Sequence, residues 1–202
     1  MTDIPYDLLM KIQQGTMAYR YRGIPLLKNP FDLALYPLLL ERLRPRTLIE
    51  IGSYEGGGAL WFANQADMRV LSIDLVVPAN VSHPSVTFMK GDARNLGDVL
   101  VDSVMDGLER PLLVIEDSDH VASTTGAVLA FFDRWLRPGD YIVIEDGILS
   151  DMRVADQYEG GPLRAIHEFL AQHPNRYEID RSFCDYFGRN VTWNVDGYLR
   201  RL

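Results

Sequence analysis

Cysteine is almost absent: 202 residues hold one, Cys184, together with three tryptophans and four histidines. A lone cysteine excludes an intrachain disulfide and a cysteine-based zinc site, which suits a reducing cytoplasm. Positive charge is also scarce, with 20 Lys and Arg against 28 Asp and Glu, a formal net charge of −8. Such a chain lacks the basic footprint of a nucleic-acid binder and would repel anionic lipid, while it would tolerate a bound cation. No apolar run reaches the ~18–20 residues that span a bilayer, so no membrane role is expected. The opening MTDIPYDLLM is acidic and has no basic segment leading into an apolar stretch, so no secretion signal is expected either. Repeats, low-complexity segments and linkers are missing. The expectation is a soluble cytoplasmic protein with one domain over residues 1–202, long enough for one sizeable core and short for two.

What is present is an alternation of short strand-like and helical runs. Thr47–Ile51, Val70–Ile73, Val86–Met89, Leu112–Ile115 and Tyr141–Ile144 read as strands. Gly57–Ala66, a stretch near Thr124–Leu136 and Leu163–Gln172 read as helices. Tyr177–Ile179 and Val191–Asn194 are expected as terminal strands. This order predicts an α/β fold: a mostly parallel, twisted sheet with helices on both faces. Two further helices, Tyr6–Tyr19 and Phe31–Leu43, precede the first strand. They make residues 1–45 a helical segment that either covers the sheet or acts as a lid. In an open parallel sheet the ligand sits beyond the carboxyl ends of the strands, where strand order reverses. The unusual residues of this sequence lie there.

The first strand runs into Glu50-Ile51-Gly52-Ser53-Tyr54-Glu55-Gly56-Gly57-Gly58, a turn that opens a helix. Glycine permits close backbone approach, and a helix N-terminus offers free N–H groups. The dinucleotide fingerprint G-x-G-x-x-G is not met, because Tyr54 stands at its second glycine, so a nicotinamide cofactor is disfavoured. The E-x-G-x-x-x-G form resembles instead the first motif of class I methyltransferases, which bind S-adenosylmethionine (SAM); a tight turn with glycine for sterics is the alternative. Asp74 ends the second strand, where an acid commonly accepts hydrogen bonds from ribose hydroxyls. Asp92 follows the third strand, where methyltransferases often read the adenine amino group. Each of the two acids also suits a helix cap or a turn.

The fourth and fifth strands both end in the same tetrapeptide, Val114-Ile115-Glu116-Asp117 and Val143-Ile144-Glu145-Asp146. Strands one, four and five are expected side by side, so Asp117, Glu145 and Asp146 should converge beside the cofactor loop. Two anions ~4 Å apart repel by ~4 kcal/mol at an effective dielectric near 20. Either raised pKa values or a hard cation such as Mg²⁺, which takes oxygen ligands, would relieve this. A third arrangement has Glu116 and Glu145 turned to solvent while Asp117 and Asp146 cap turns. Only one of the four histidines, His120, belongs to this cluster, which favours an oxygen-ligand ion over a two-histidine transition-metal site. His120 stands as a candidate general base, against the plainer role of a surface or capping residue.

Taken together, KNPFDLALY (28–36), LIEIGSYEGGGALWFA (48–63), LLVIEDSDH (112–120), LRPGDYIVIEDG (136–147), GPLRAIHEFL (161–170) and DGYLRRL (196–202) resemble the cephalosporin hydroxylase and rhamnosyl O-methyltransferase family. That family falls within the metal-dependent class I SAM methyltransferases. The resemblance implies a Rossmann-like fold, SAM held near Glu50, Gly52, Ser53, Tyr54, Asp74, Asp92 and Asp117, and Mg²⁺ or Mn²⁺ on Asp117, Glu145 and Asp146. Asp119 is an alternative ligand, and the relatives' base histidine falls on His120. The implied reaction is methylation of a hydroxyl on a sugar or small natural product. A hydroxylase and a non-catalytic nucleotide-binding subunit are the competing readings, although no iron triad is present for the former. The expected partner is a small hydroxylated acceptor, and a homo-oligomer is compatible with the sequence.

Overall fold

The computed structural model describes residues 1–202. Two elements come first: helix α1 (Tyr6–Ala18), then a small hairpin of β1 (Arg20–Tyr21) and β2 (Ile24–Pro25). Helix α2 (Pro30–Leu43) follows, and its start is written in sequence. Asn29 caps it by accepting the Phe31 and Asp32 N–H groups, and Pro30 occupies the first turn, where no N–H is needed. Loss of such a cap costs about 1 kcal/mol.

The main sheet contains β3 (Thr47–Ile51), β4 (Arg69–Asp74), β5 (Val86–Lys90), β6 (Leu112–Glu116), β7 (Tyr141–Ile144), β8 (Tyr177–Ile179) and β9 (Tyr198–Arg201). Their order is β5-β4-β3-β6-β7-β9-β8. Pairing is parallel from β5 through β7, and β9 runs antiparallel to both of its neighbours. The chain leaves β3 toward β4 on one side and returns to β6 on the other, so the strand order reverses between β3 and β6. Every residue of β3, β6 and β7 is buried, as expected of strands covered on both faces.

Alternation along these strands sends their side chains into two cores. Ile49, Val114 and Ile142 pack beneath helices α5 (Ala122–Asp133) and α6 (Gly161–Gln172), represented by Phe132 and Ile166. Leu48, Leu113, Ile115 and Val143 face the opposite layer, formed by α2 and by α3 (Gly57–Ala63), through Leu35, Tyr36 and Phe62. A smaller cluster ties Leu9 of α1 to Ile148, Met152 and Trp193. Short helices α4 (Asp102–Asp106) and α7 (Arg181–Cys184) complete the elements. No helix is long and apolar enough to cross a membrane.

One expected strand is absent. Val191–Asn194 does not join the sheet; the last strand is Tyr198–Arg201. The reason is Asp32 of α2, which is buried and accepts from Thr192 Oγ1, from the Trp193 N–H at 2.9 Å and from the Tyr198 hydroxyl at 3.0 Å. A run with strand-like side chains is thereby held as a loop against α2. Burial pushes the Asp32 carboxyl up to about 6, partly offset by the Thr192 bond. The expected helix Gly57–Ala66 ends earlier, at Ala63, and the helix near Thr124–Leu136 runs from Ala122 to Asp133.

Candidate active site

Two cavities meet above the carboxyl ends of β3 and β6, at the reversal of strand order. The larger, of about 510 Å³, is lined by Gly52, Tyr54, Asp74, Asp92 and Asp117 among the expected cofactor residues. The second, of about 330 Å³, holds Glu50, Ser53, His120 and Asp146. Gly52, Tyr54, Asp117 and Ser118 line both, so the cavities communicate across the loops that leave β3 and β6.

The glycines of the first loop serve chain packing. Gly52 has φ +101°, and a Cβ there would lie 2.0 Å from the Asp117 carbonyl oxygen. It therefore lets the loop after β3 pass against the loop after β6, which brings Asp117 to the junction. A Cβ on Gly58 would meet Glu50 Oε1 at 2.1 Å, so the start of α3 is covered by the chain's own carboxylate. Glu50 and Ser53 are buried and joined through Ser72, whose hydroxyl lies 2.5 Å from Glu50 Oε2 and 2.6 Å from Ser53 Oγ. Neither borders the larger cavity. Burial pushes the Glu50 carboxyl up to about 8, against the opposing effects of Lys28 and Ser72.

Asp74 accepts the Tyr54 N–H at 2.9 Å and the Val76 N–H at 3.2 Å, and a carboxylate so engaged keeps lone pairs for a ligand. Asp92 caps the 3₁₀ turn at Ala93–Asp98 and pairs with Arg94 at 2.7 Å, which holds its carboxyl down at about 2. Asp119 is spent on the first turn of α5, accepting from the Val121 N–H and the Thr124 hydroxyl, and it borders the larger cavity.

In the second cavity, Asp117, His120 and Asp146 bring ligand atoms within 4.8 Å of one another. His120 Nε2 is 3.4 Å from Asp146 Oδ2. Both residues have left-handed backbones, with φ 61° and 57°, a geometry that concentrates at functional sites. Burial disfavours charge on His120, but the carboxylates of Asp146 and Asp117 outweigh it, and its pKa lies above the usual histidine value. Asp146 is itself raised, chiefly by burial, with His120 pulling the other way. The set of two carboxylates and one histidine is not the two-histidine, one-carboxylate triad of non-haem iron oxygenases.

Glu145 is not brought into that cluster. Its Oε1 accepts Lys28 Nζ at 2.6 Å and the Tyr36 hydroxyl, and Lys28 also reaches Asp117 Oδ2 at 3.0 Å. Lys28, 3% exposed, is thus an internal cation placed between two of the repelling acids. Burial works against its charge, but Asp117 and Glu145 outweigh this and hold its pKa above the usual lysine range. Burial and Asp117 push the Glu145 carboxyl up to about 7 against the pull of Lys28. The sequence reading passed over Lys28, which stands at the head of KNPFDLALY. Its signal was a lysine directly before a helix cap in a chain short of positive charge.

The comparisons with known proteins decide the family. The profile described as Rhamnosyl O-methyltransferase/CmcI matches residues 13–202. The chain belongs to this family. It is 29% identical over 197 residues to a rhamnosyl O-methyltransferase of Mycobacterium leprae (strain TN), covering 90% of this chain and 82% of the relative. Among solved structures, a CmcI with Mg and SAM is 28% identical at a TM-score of 0.68, over 92% of this chain and 77% of the other. A CmcI with S-adenosylhomocysteine (SAH) is 26% identical at a TM-score of 0.69, over 99% and 93%. The family resemblance and the methyltransferase fold expected from the sequence are borne out, and a SAM-dependent O-methyltransferase is borne out at the level of the family.

Proposed function

We propose that this family member transfers the methyl group of SAM to a hydroxyl oxygen of a sugar or small natural product, with Mg²⁺ or Mn²⁺ bound at the junction of the two cavities. The observation that carries this reading is the placement of His120 and Asp146 in a cavity that opens, across Asp117, into a second cavity lined by Asp74 and Asp92. The larger cavity takes the methyl donor: Asp74 accepts hydrogen bonds from the ribose diol, and Ile51, Ile73 and Leu75 provide apolar surface for the nucleoside. The related CmcI structure with Mg and SAM supports this pairing of ligands.

The donor set fits a hard cation. Asp117 and Asp146 offer oxygens within one small cluster, and the second oxygen of Glu145 accepts no bond from the protein. Asp117 and Asp146 would hold the ion, with Glu145 behind them, joined to Asp117 through Lys28. When bound, a divalent cation polarises the acceptor hydroxyl and offsets the carboxylate field on His120. His120 is placed to take the hydroxyl proton as the oxygen is methylated, and Asp146, 3.4 Å from its Nε2, stabilises the imidazolium that results. The residues around the junction hold donor and acceptor in line, the geometry that displacement at a methyl carbon requires.

Residues 1–45 belong to the same domain in this reading, and α1 supplies a wall of the acceptor cavity through Gln13 and Met17. The test is methyl transfer from SAM to a panel of hydroxylated acceptors, followed by mass spectrometry with and without EDTA, alongside calorimetry with SAH. Metal-dependent methylation and micromolar-range SAH affinity support the reading. Binding of NAD with no response to SAH would sink it.

A further inference from the structure

The larger cavity is bordered by acids, with one exception. Glu55, Asp74, Asp92, Asp117 and Asp119 line it, and Arg94 is its only positively charged residue. Arg94 stands two residues after Asp92, in the turn that leaves β5. Asp92 grips its guanidinium as a fork: Nε donates to Oδ1 at 2.9 Å and Nη2 donates to Oδ2 at 2.7 Å. The Arg94 backbone N–H donates to Oδ1 as well, at 2.9 Å. An ionised carboxylate has about four acceptor sites, so one residue occupies most of those on Asp92. The two side-chain bonds are charge-assisted and roughly twice as strong as a bond from a neutral donor. The adenine amino group is such a neutral donor and has no advantage in displacing them. Asp119 turns both of its oxygens to the first turn of α5, toward the Val121 N–H and the Thr124 hydroxyl.

The fork also fixes a plane. Two parallel bonds to one carboxylate restrain the tilt of the guanidinium as well as its place. Arginine planes stack on base faces, helped by the weak hydration of the guanidinium ion. Ile51, Ile73 and Leu75 border the same cavity, and apolar side chains together with a cationic plane suit the two faces of a purine. This end of the cavity therefore offers the base a face to lie on more than an edge to read.

We infer that Arg94 binds the adenine of the methyl donor by stacking, and that Asp92 is a positioning residue that holds the guanidinium in place, not a reader of the adenine amino group. The inference rests on the methyltransferase reading above, and its test separates the two. Stacking tolerates a change of base because every base has a π-face, whereas a site built to hydrogen-bond one edge rejects the analogue that lacks it. The probes are SAH and S-inosylhomocysteine, which carries an oxo group where SAH has the adenine amino group. Each is titrated by calorimetry into wild type, Arg94→Ala, Arg94→Lys and Asp92→Asn. Wild type is expected to bind the two probes within ~3-fold of each other, and Arg94→Ala to weaken both by about 3–10-fold. Arg94→Lys should be as weak as Arg94→Ala, because an ammonium keeps the charge without the plane. Asp92→Asn keeps an oxygen to cap the turn and should weaken both probes less than Arg94→Ala does. Added to Arg94→Ala it should cost nothing more, the coupling expected of a residue that acts through another. Rejection of S-inosylhomocysteine by more than ~30-fold in wild type overturns the inference and leaves the methyltransferase reading standing. So does wild-type affinity for SAH in Arg94→Ala. A wild-type protein that does not bind SAH removes both.

Discussion

The same tetrapeptide, VIED, ends two adjacent strands and does different work in each. The strands are parallel, but Ile115 pairs with Val143 and Glu116 with Ile144, so the two copies are offset by one residue. Side chains alternate between faces, and a one-residue offset inverts which copy points where. Glu116 therefore shares a face with Ile144 and enters the core beneath α5 and α6. Asp117 and Glu145 share the other face, where both meet Lys28. A backbone bond fixes the offset, the Glu145 N–H donating to the Glu116 carbonyl at 2.9 Å. Identical sequence thus yields one glutamate sealed from the site and one that shapes it. Sequence context supplied the letters, and register supplied the roles.

The largest expected effect tests the loop that the first copy launches. His120→Ala should keep SAH affinity and lose ~10²–10⁴-fold in kcat, the usual share of a general base. His120→Gln should be as poor, because it restores hydrogen bonding without basicity. Near-native turnover by either variant would move the base to a carboxylate. Next, the same change made in both copies should separate them. Glu145→Gln is expected to raise the Mg²⁺ concentration needed for half-maximal activity and to weaken metal binding by calorimetry, whereas Glu116→Gln should leave both near wild type. Equal metal responses from the two variants would break the comparison. Lys28→Met should destabilise the fold by roughly 3–5 kcal/mol in denaturant unfolding, since it leaves buried carboxylates without their cation. A loss below about 1 kcal/mol would show that those acids are neutral or solvated.

Much of this was legible beforehand. The strands β3 to β7 follow from apolar runs bounded by glycine, proline and charge, and the reversal of strand order follows from strand–helix alternation, so the position of the two cavities did too. The particular facing of each acid was not legible, because register between strands distant in sequence is set by tertiary packing. Val191–Asn194 illustrates the same limit: its side chains suit a strand, but a buried aspartate on α2 claims its backbone and hydroxyl. Lys28 was missed for a related reason. The sequence predicts repulsion among the acids, and protons or a metal are the remedies it suggests. A buried lysine reaching from the segment before α2 is visible only once that helix is placed. The α1 wall of the acceptor cavity likewise needed the packing of Leu9 on Met152 and Trp193.

A smaller effect concerns the cofactor side. Asp74→Ala should weaken SAH binding ~10-fold or more, the loss of charge-assisted bonds worth about 1.5–3 kcal/mol. Unchanged affinity in calorimetry would reduce Asp74 to its visible role, holding the Tyr54 and Val76 N–H groups.

The smallest effect isolates the first copy's glutamate through pH. Glu116 is 2% exposed, its Oε1 accepts the Ser118 hydroxyl at 2.6 Å, and its Oε2 is buried without a partner. Burial pushes its carboxyl up from 4.5 to about 8, with Ser118 pulling the other way. The folded state therefore keeps a proton that the unfolded chain has released. Stability from this group is full below the unfolded value of 4.5 and is lost as pH rises through about 8. Glutamine imitates the protonated carboxyl in shape and does not ionise. The wild-type Tm should accordingly fall between about pH 4.5 and pH 8, and Glu116→Gln should flatten that fall by roughly 2–4 °C, the equivalent of about 1 kcal/mol for a chain of this size. Some slope should remain, because Glu50, also raised to about 8, lies on the other face of the sheet and titrates in the same direction. Parallel melting curves for the two proteins would mean that Glu116 stays ionised when buried. The two copies of the tetrapeptide would then differ in facing alone, and not in charge.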